Sequence, residues 1–148
     1  MGFRPVRESD IPRLFEVRAA TRENALSPDT MERMGITPEN VRAMLSSTHM
    51  GWVWEEDGLP GGFAMADGST GELWVIAILP ELEGRGIGRG LMERAESWLR
   101  SLGWDRAWLT TDMDTSLRAY GFYRALGWSG WKTEGGDRYM EKGLRADG

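Results

Sequence analysis

Cysteine is absent from the 148 residues, and histidine occurs once, at His49. The first absence excludes disulfides, thiolate nucleophiles and thiolate metal sites, and it is compatible with a reducing cytoplasm. The second excludes a His-Glu-x-x-His zinc site and leaves any serine triad dependent on one residue. His49 lies in "SSTHMG", a loop-like context in which a surface residue is expected rather than a catalytic base. Long hydrophobic runs are also missing: "LWVIAIL" is far below the length that spans a bilayer, and no signal-like apolar stretch follows the start. An intracellular, cytoplasmic protein with no membrane partner is expected. Basic residues are outnumbered by acidic ones, 18 to 23. A net charge of −5 argues against a nucleic-acid binder with a broad basic face and favours cationic partners over anionic polymers.

What is there reads as one folded domain over residues 1–148. Hydrophobic residues make up 41% and charged residues 28%, the balance of a globular chain, and no repeat, low-complexity tract or long linker divides it. "FRPV" predicts a short strand, followed by a helix with Ser9 as N-cap, Pro12 in its first turn and Ile11, Leu14 and Phe15 on one face. "TRENALSPDTMERMGI" is polar and broken, which makes residues 22–37 a candidate mobile, substrate-facing segment. "TPENVRAML" then restarts a helix with Thr37 as cap and Pro38 at its first position. "GWVWEE", "GGFAMAD" and "ELWVIAIL" read as an antiparallel meander. After it, Ile87, Leu91, Ala95, Trp98, Leu99 and Leu102 fall at helical spacing, with Arg89, Glu93, Glu96 and Arg100 on the solvent side and Gly103 ending the helix. "WDRAWLTT" is a strand reached by a parallel crossover, "SLRAYGFYRALG" a last helix closed by Gly127, and "WSGWKTE-GG-DRYMEK" a hairpin. The expected class is α/β, or α+β counted strictly, with a mixed, mostly antiparallel central sheet flanked by about four helices.

The stretch with the sharpest chemical content is "EGRGIGRG", residues 83–90, between an apolar strand and an amphipathic helix. Glycines at 84, 86 and 88 let the backbone turn sharply and remove side chains that would hold a ligand away from its N–H groups. Those groups open a helix, where unpaired amides and the dipole favour an anion such as phosphate, and Arg85 and Arg89 add positive charge. The Gly-Lys-Ser/Thr ending of a P-loop is missing, and the dinucleotide pattern Gly-x-Gly-x-x-Gly fails at Arg89, so neither ATP nor NAD is indicated. The eight tryptophans are read mainly as core, with Trp52 and Trp54 on one strand face and Trp74 on the adjacent strand. An aromatic acceptor pocket is the alternative. Glu55, Glu56 and the "TREN" segment offer carboxylates to a cationic amine or simply face solvent.

"ILPELEGRGIGRGLM", with "AYGFYRALGW" downstream, resembles the GNAT superfamily of acetyl-coenzyme A dependent N-acetyltransferases. Its signature is Arg or Gln, two residues, Gly, one residue, Gly or Ala. Gly86 and Gly88 match, whereas the first position is Glu83. The resemblance implies a pyrophosphate cradle at Gly84, Arg85, Gly86, Ile87, Gly88 and Arg89, and a pantetheine arm lying in a gap beside the main chain at Ile78. Ala119, Phe122, Tyr123, Leu126, Gly127 and Trp128 follow the second family pattern, with Ser116 where an asparagine near the pantetheine is common. The implied roles are Tyr123 as general acid near the coenzyme sulfur and an N–H near Ile78 as oxyanion donor. Glu72, eleven positions before Glu83, is the implied base, expected to share a sheet face with Trp74, Ile76 and Ile78. Beside such residues its carboxyl is expected to hold its proton more tightly than usual, although a strand-starting glutamate is as readily an exposed one. Asp112 and Glu23 are weaker substitutes. With acetyl-CoA as cosubstrate, the implied reaction is direct attack by a small-molecule or peptide amine in a ternary complex. No metal takes part, and a homodimer is allowed, as in similar proteins. Two rivals stay open: a non-catalytic acyl-CoA-binding or sensing module, and an interaction domain with a vestigial glycine loop.

Overall fold

A computed structural model of the chain describes residues 2–21 and 26–144. Within them seven strands form one sheet in the order β1-β2-β3-β4-β5-β7-β6. In chain order these are β1 (Gly2–Pro5), β2 (His49–Glu56), β3 (Leu59–Asp67), β4 (Glu72–Ile78), β5 (Arg106–Asp112), β6 (Ser129–Glu134) and β7 (Asp137–Gly143). The helices are α1 (Ile11–Ala19), α2 (Pro28–Arg33), α3 (Pro38–Leu45), α4 (Ile87–Ser101) and α5 (Arg118–Ala125). All strand pairs are antiparallel except β4 with β5. The expected mixed, mostly antiparallel sheet is present, with one helix more than the sequence suggested.

That extra helix is α2, inside the stretch expected to be broken. The Ser27 hydroxyl accepts the Thr30 N–H at 3.1 Å, Pro28 takes the first position and Met31 is 2% exposed. A six-residue helix is too short to build a readable period, so one buried methionine anchors what composition alone makes look irregular. Residues 22–25, which include Glu23 and most of "TREN", lie outside the described residues. The start of α1 also differs from expectation. Glu8–Asp10 form a 3-10 turn, and Asp10, not Ser9, precedes the helix. Asp10 accepts the Arg7 N–H at 2.7 Å and both ends of the Arg4 guanidinium at 2.8 and 2.9 Å. The guanidinium holds the Asp10 carboxyl below its ordinary range.

Helices cover the two faces of the sheet unequally. α1 and α3 bury Ile11, Leu14, Val17 and Val41 against Val53, Phe63, Met65 and Ala77 on one face. α4 and α5 pack on the other, where Ile87, Leu91, Ala95 and Leu99 meet Ala64, Ala66, Leu73 and Leu109. Leu102 does not belong to this stripe: it follows the end of α4 and is 51% exposed. Glu96, expected to face solvent, is buried because Lys142 of β7 lies across it, with Nζ at 2.8 Å. The tryptophans are also arranged differently. β3 separates β2 from β4, so Trp74 is no strand neighbour of Trp52 or Trp54. Trp52 packs edge-on against Trp98 at 5.9 Å and Trp54 against Phe3 at 4.8 Å, both with the α4 core, whereas Trp74 belongs to the α1 side.

The feature that positions a site lies between β4 and β5. Their register consists of one pair, Glu72 with Trp108, supported by the Trp108 N–H donating to the Gly71 carbonyl at 3.2 Å. Beyond that point the two strands are unpaired, which leaves backbone groups of β4 without a strand neighbour at the centre of the sheet.

Candidate active site

The gap between β4 and β5 opens a cavity of about 890 Å³. Gly84, Gly86, Gly88 and Arg89 line one end, Ile78, Phe122 and Tyr123 the middle, and Glu72, Trp74, Asp112, Arg18 and Met31 the other. Most of the sequence-predicted residues are thus gathered around one space. Arg85 and Ser116 are not among its lining residues. Arg85 is drawn towards β2, donating to Glu56 at 3.1 Å, and Ser116 donates its N–H and hydroxyl to Asp114 at 2.9 and 2.6 Å. Glu55 and Glu56 are likewise engaged, with Arg4 and with Arg85 and the Trp54 indole. Neither lines the cavity.

The glycines serve two physical ends. Gly84 and Gly86 have φ of +80° and +82°, a region that side chains disfavour, and a Cβ at either would meet nothing within 4 Å. They turn the chain so that α4 begins at the cavity, with Gly86 as N-cap and no side chain capping its first amides. Uncapped amides at the start of a 15-residue helix suit an anion. Gly88 is different. A Cβ there would lie 2.9 Å from Ile78 Cδ1 and 3.0 Å from the Phe122 ring, so its smallness serves the close approach of α4 to β4 and α5 as well as any ligand.

At the opposite end β4 carries a bulge. Met65 pairs with Val75 and Ala66 with Leu73, which leaves Trp74 without a partner. The extra residue resets the alternation. Leu73, Ile76 and Ile78 pack with the α4 core, whereas Trp74, Val75 and Ala77 pack on the α1 side. Glu72, one residue before Leu73, therefore shares a face with Trp74 but not with Ile76 and Ile78, which corrects the expectation from simple period-two alternation. Burial, and then the neighbouring Asp67 charge, push the Glu72 carboxyl up to about 7. A base with that affinity takes a proton near neutrality and releases it again.

His49 is the first residue of β2, not a loop residue, and its side chain is 8% exposed. It sits across from Asp67, with Nε2 3.9 Å from Oδ2, and edge-on to Trp74 at 5.3 Å. Burial lowers its proton affinity more than Asp67 raises it. His49, Asp67 and Glu72 are successive cross-strand neighbours on β2, β3 and β4, and of the three only Glu72 lines the cavity.

Tyr123 on α5 is 9% exposed, and burial pushes its phenol up to about 12, with Arg18 pulling the other way. Burial in turn lowers the Arg18 guanidinium from its ordinary value, opposed by Tyr123. Arg18 was missed in the sequence reading, although a signal existed. It continues the Ile11, Leu14, Phe15 spacing of α1, and a charge on an apolar stripe asks for a partner. Main-chain donors are present as well. The Leu79 N–H donates to Gly61 of β3 at 2.9 Å. By the alternation of an antiparallel ladder, the Ile78 N–H faces the opposite edge, where β5 has parted.

A sheet parted at its one parallel pair, with a helix starting at the opening, defines an α+β domain built around a central cleft. The family model described as "Acetyltransferase (GNAT) family" matches residues 12–128, and the chain belongs to that family. A mycothiol acetyltransferase of Thermobispora bispora is 36% identical over 69 residues, 47% of this chain and 23% of the relative. Serotonin N-acetyltransferase 2, chloroplastic, of Oryza sativa subsp. japonica is 34% identical over 100 residues, 62% of this chain and 47% of the relative. The chain thus spans less than half the length of these curated relatives. The crystal structure of PaiA N-acetyltransferase from Thermoplasma acidophilum in complex with coenzyme A shares the fold, with a TM-score of 0.80, 23% identity and coverage of 95% of this chain and 97% of that one. Among the described residues no helix is long and apolar enough to cross a membrane.

Proposed function

We propose that residues 1–148 form one acetyltransferase domain that binds acetyl-CoA and transfers its acetyl group to an amine by direct attack in a ternary complex. The observation that carries this reading is the single cavity joining the uncapped start of α4 to Tyr123, the open edge of β4 and Glu72. In it the coenzyme phosphates lie at Gly84, Gly86 and Arg89, where helix amides and a cation favour them. The pantetheine arm follows the edge that β5 leaves unpaired, as an added strand would. Cysteine absence excludes an acetyl-cysteine intermediate and accords with work in the cytoplasm.

Each step then has a group. Glu72 takes a proton from the acceptor ammonium, directly or through water, and so leaves the neutral amine that attacks the thioester carbonyl. The Ile78 N–H donates to the oxygen that gains charge in the tetrahedral intermediate. As sulfur departs, Tyr123 donates to it. With the phenol near 12 and an ordinary thiol near ~8.5, complete proton transfer to free thiolate runs uphill. The role therefore centres on the hydrogen bond made while the C–S bond breaks, and Arg18 lowers its cost. The acceptor end combines Met31, Met34, Ile36 and Trp74 with the carboxylates of Glu72, Asp112 and Asp137. That lining supports a cationic amine with an apolar body, and one relative is named for serotonin.

Calorimetric titration with acetyl-CoA, beside NADH and ATP, tests the first half of the reading, and release of free coenzyme A with a panel of aryl-alkylamines, polyamines and short peptides tests the second. Selective acetyl-CoA binding with acceptor-dependent thiol release is expected. Binding without release for any amine would favour a coenzyme-sensing module, and no binding would refute both.

A further inference from the structure

The family signature has Arg or Gln at the position of Glu83, so this chain sets a negative charge beside a site that suits phosphates. The carboxylate has a specific partner. Arg118, the first residue of α5, donates from Nη1 to Glu83 Oε1 at 2.6 Å across 35 positions of sequence. The two residues line the same cavity from opposite walls, the loop after β4 and the start of α5. Nothing in α5 itself calls for a cation there. A helix N-terminus disfavours positive charge, and Leu117 provides no side-chain cap. Arg118 therefore answers to something outside its own helix. Arg85, the loop's other candidate cation besides Arg89, is engaged with Glu56 away from the cavity lining.

We infer that Arg118 is a coenzyme-binding residue. It supplies from α5 the positive charge that the signature carries on the loop, and Glu83 holds its guanidinium at the mouth of the cradle, against the phosphates. The Glu83 side chain is 15% exposed and that of Arg118 52%, so the carboxylate is the more buried, orienting partner and the guanidinium the more exposed one. A guanidinium has five donors in a planar fork, which allows a bond to Glu83 and another to a phosphate oxygen. The inference rests on the reading of Gly84–Arg89 as the phosphate cradle. It has a distinctive sign: loss of Arg118 removes a cation at the phosphates, whereas loss of Glu83 removes only a group that orients it.

The test is calorimetric titration of the full chain with coenzyme A and with dephospho-coenzyme A. Arg118→Ala is expected to weaken binding by about tenfold or more, more strongly at low salt, and Arg118→Lys by less. Glu83→Gln alone is expected to stay within about threefold of wild type. A loss with coenzyme A only assigns the contact to the 3′-phosphate, and a loss with both ligands assigns it to the pyrophosphate; either upholds the inference. A folded Arg118→Ala chain that binds like wild type overturns it. If Arg118→Ala folds poorly, Glu83→Arg breaks the same ion pair while restoring the signature's own cation. Binding is then expected to hold or tighten, and weakened binding overturns the inference. Gly84→Asp separates the two levels. If it destroys binding while Arg118→Ala does nothing, Arg118 alone is misassigned, and if it leaves binding intact, the cradle reading and this inference fall together.

Discussion

The two ends of the cavity are made of different materials. The end at the start of α4, where the coenzyme is proposed to bind, consists of backbone amides, glycines and guanidinium groups drawn largely from one contiguous stretch and the start of α5. The end at Glu72, proposed for the acceptor, consists mainly of carboxylates and apolar side chains contributed by α1, α2, β4, β5 and β7, with Arg18 among them. The first can be fixed by a short motif because backbone chemistry needs only turns and a helix start. The second depends on which side chains the fold brings together, so it can vary while the first stays put.

The contrast can be broken most sharply at Glu72. Glu72→Gln is expected to lower kcat by about 10²-fold with little effect on acetyl-CoA affinity. In wild type, kcat/KM should rise with pH through a limb near 7 and flatten above it, because the carboxylate must be unprotonated to act and burial has pushed it up to about 7. Loss of that limb in Glu72→Gln is the check; an unchanged limb would remove Glu72 as the base. The same residue has a stability signature. Its folded affinity for a proton exceeds the unfolded value of 4.5, so the native state loses stability as pH rises from there through 7. Glu72→Gln is therefore expected to raise Tm at pH 8 and not at pH 4.

Gly84 sharpens the other end. Gly84→Asp and Gly84→Asn are nearly isosteric, both residues tolerate positive φ, and a Cβ there meets nothing. Acetyl-CoA binding is expected to fall about 30-fold for Asp and only a few-fold for Asn, read by calorimetry. Equal losses would assign the effect to shape, not charge. Tyr123→Phe, at the junction, should lower kcat about tenfold while the KM for acetyl-CoA holds; an unchanged kcat would leave Tyr123 as packing. The smallest effect belongs to the acceptor wall, where Ser27→Ala removes the cap of α2 and should cost about 1 kcal/mol in denaturant unfolding, with coenzyme affinity unchanged.

The same contrast explains what could be read before the fold was seen. The glycine loop, its helix, the "AYGFYRALGW" helix and the Gly135-Gly136 hairpin were legible because each is local, and each is present. Thr37 caps α3 as its sequence implies. What escaped were relations across the sheet. The order β1-β2-β3-β4 separates Trp74 from Trp52, burial by β7 converts Glu96 from a surface charge into the partner of Lys142, and a strand start turns His49 inward. Arg85 and Ser116 had the right chemistry in the right segment, but Glu56 and Asp114 occupy them. Contacts of this kind follow from register and packing, which no window of neighbouring residues contains.

The unpaired Trp74 has a further consequence for how such a protein can change. Because one additional residue shifts the phase of β4, the carboxylate at its start and the apolar residues at its end are offset by half a pleat. Deleting Trp74 would bring Leu73, on the α4 side, next to Val75, on the α1 side, so strict alternation would return with Glu72, Ile76 and Ile78 on the faces they now occupy. The bulge is thus slack in the strand, one residue that can be lost without reversing either end of the cavity. A single deletion between Glu72 and Ile78 can be absorbed by loss of the bulge, whereas a further insertion would need a second bulge to leave both ends of the cavity facing as they do.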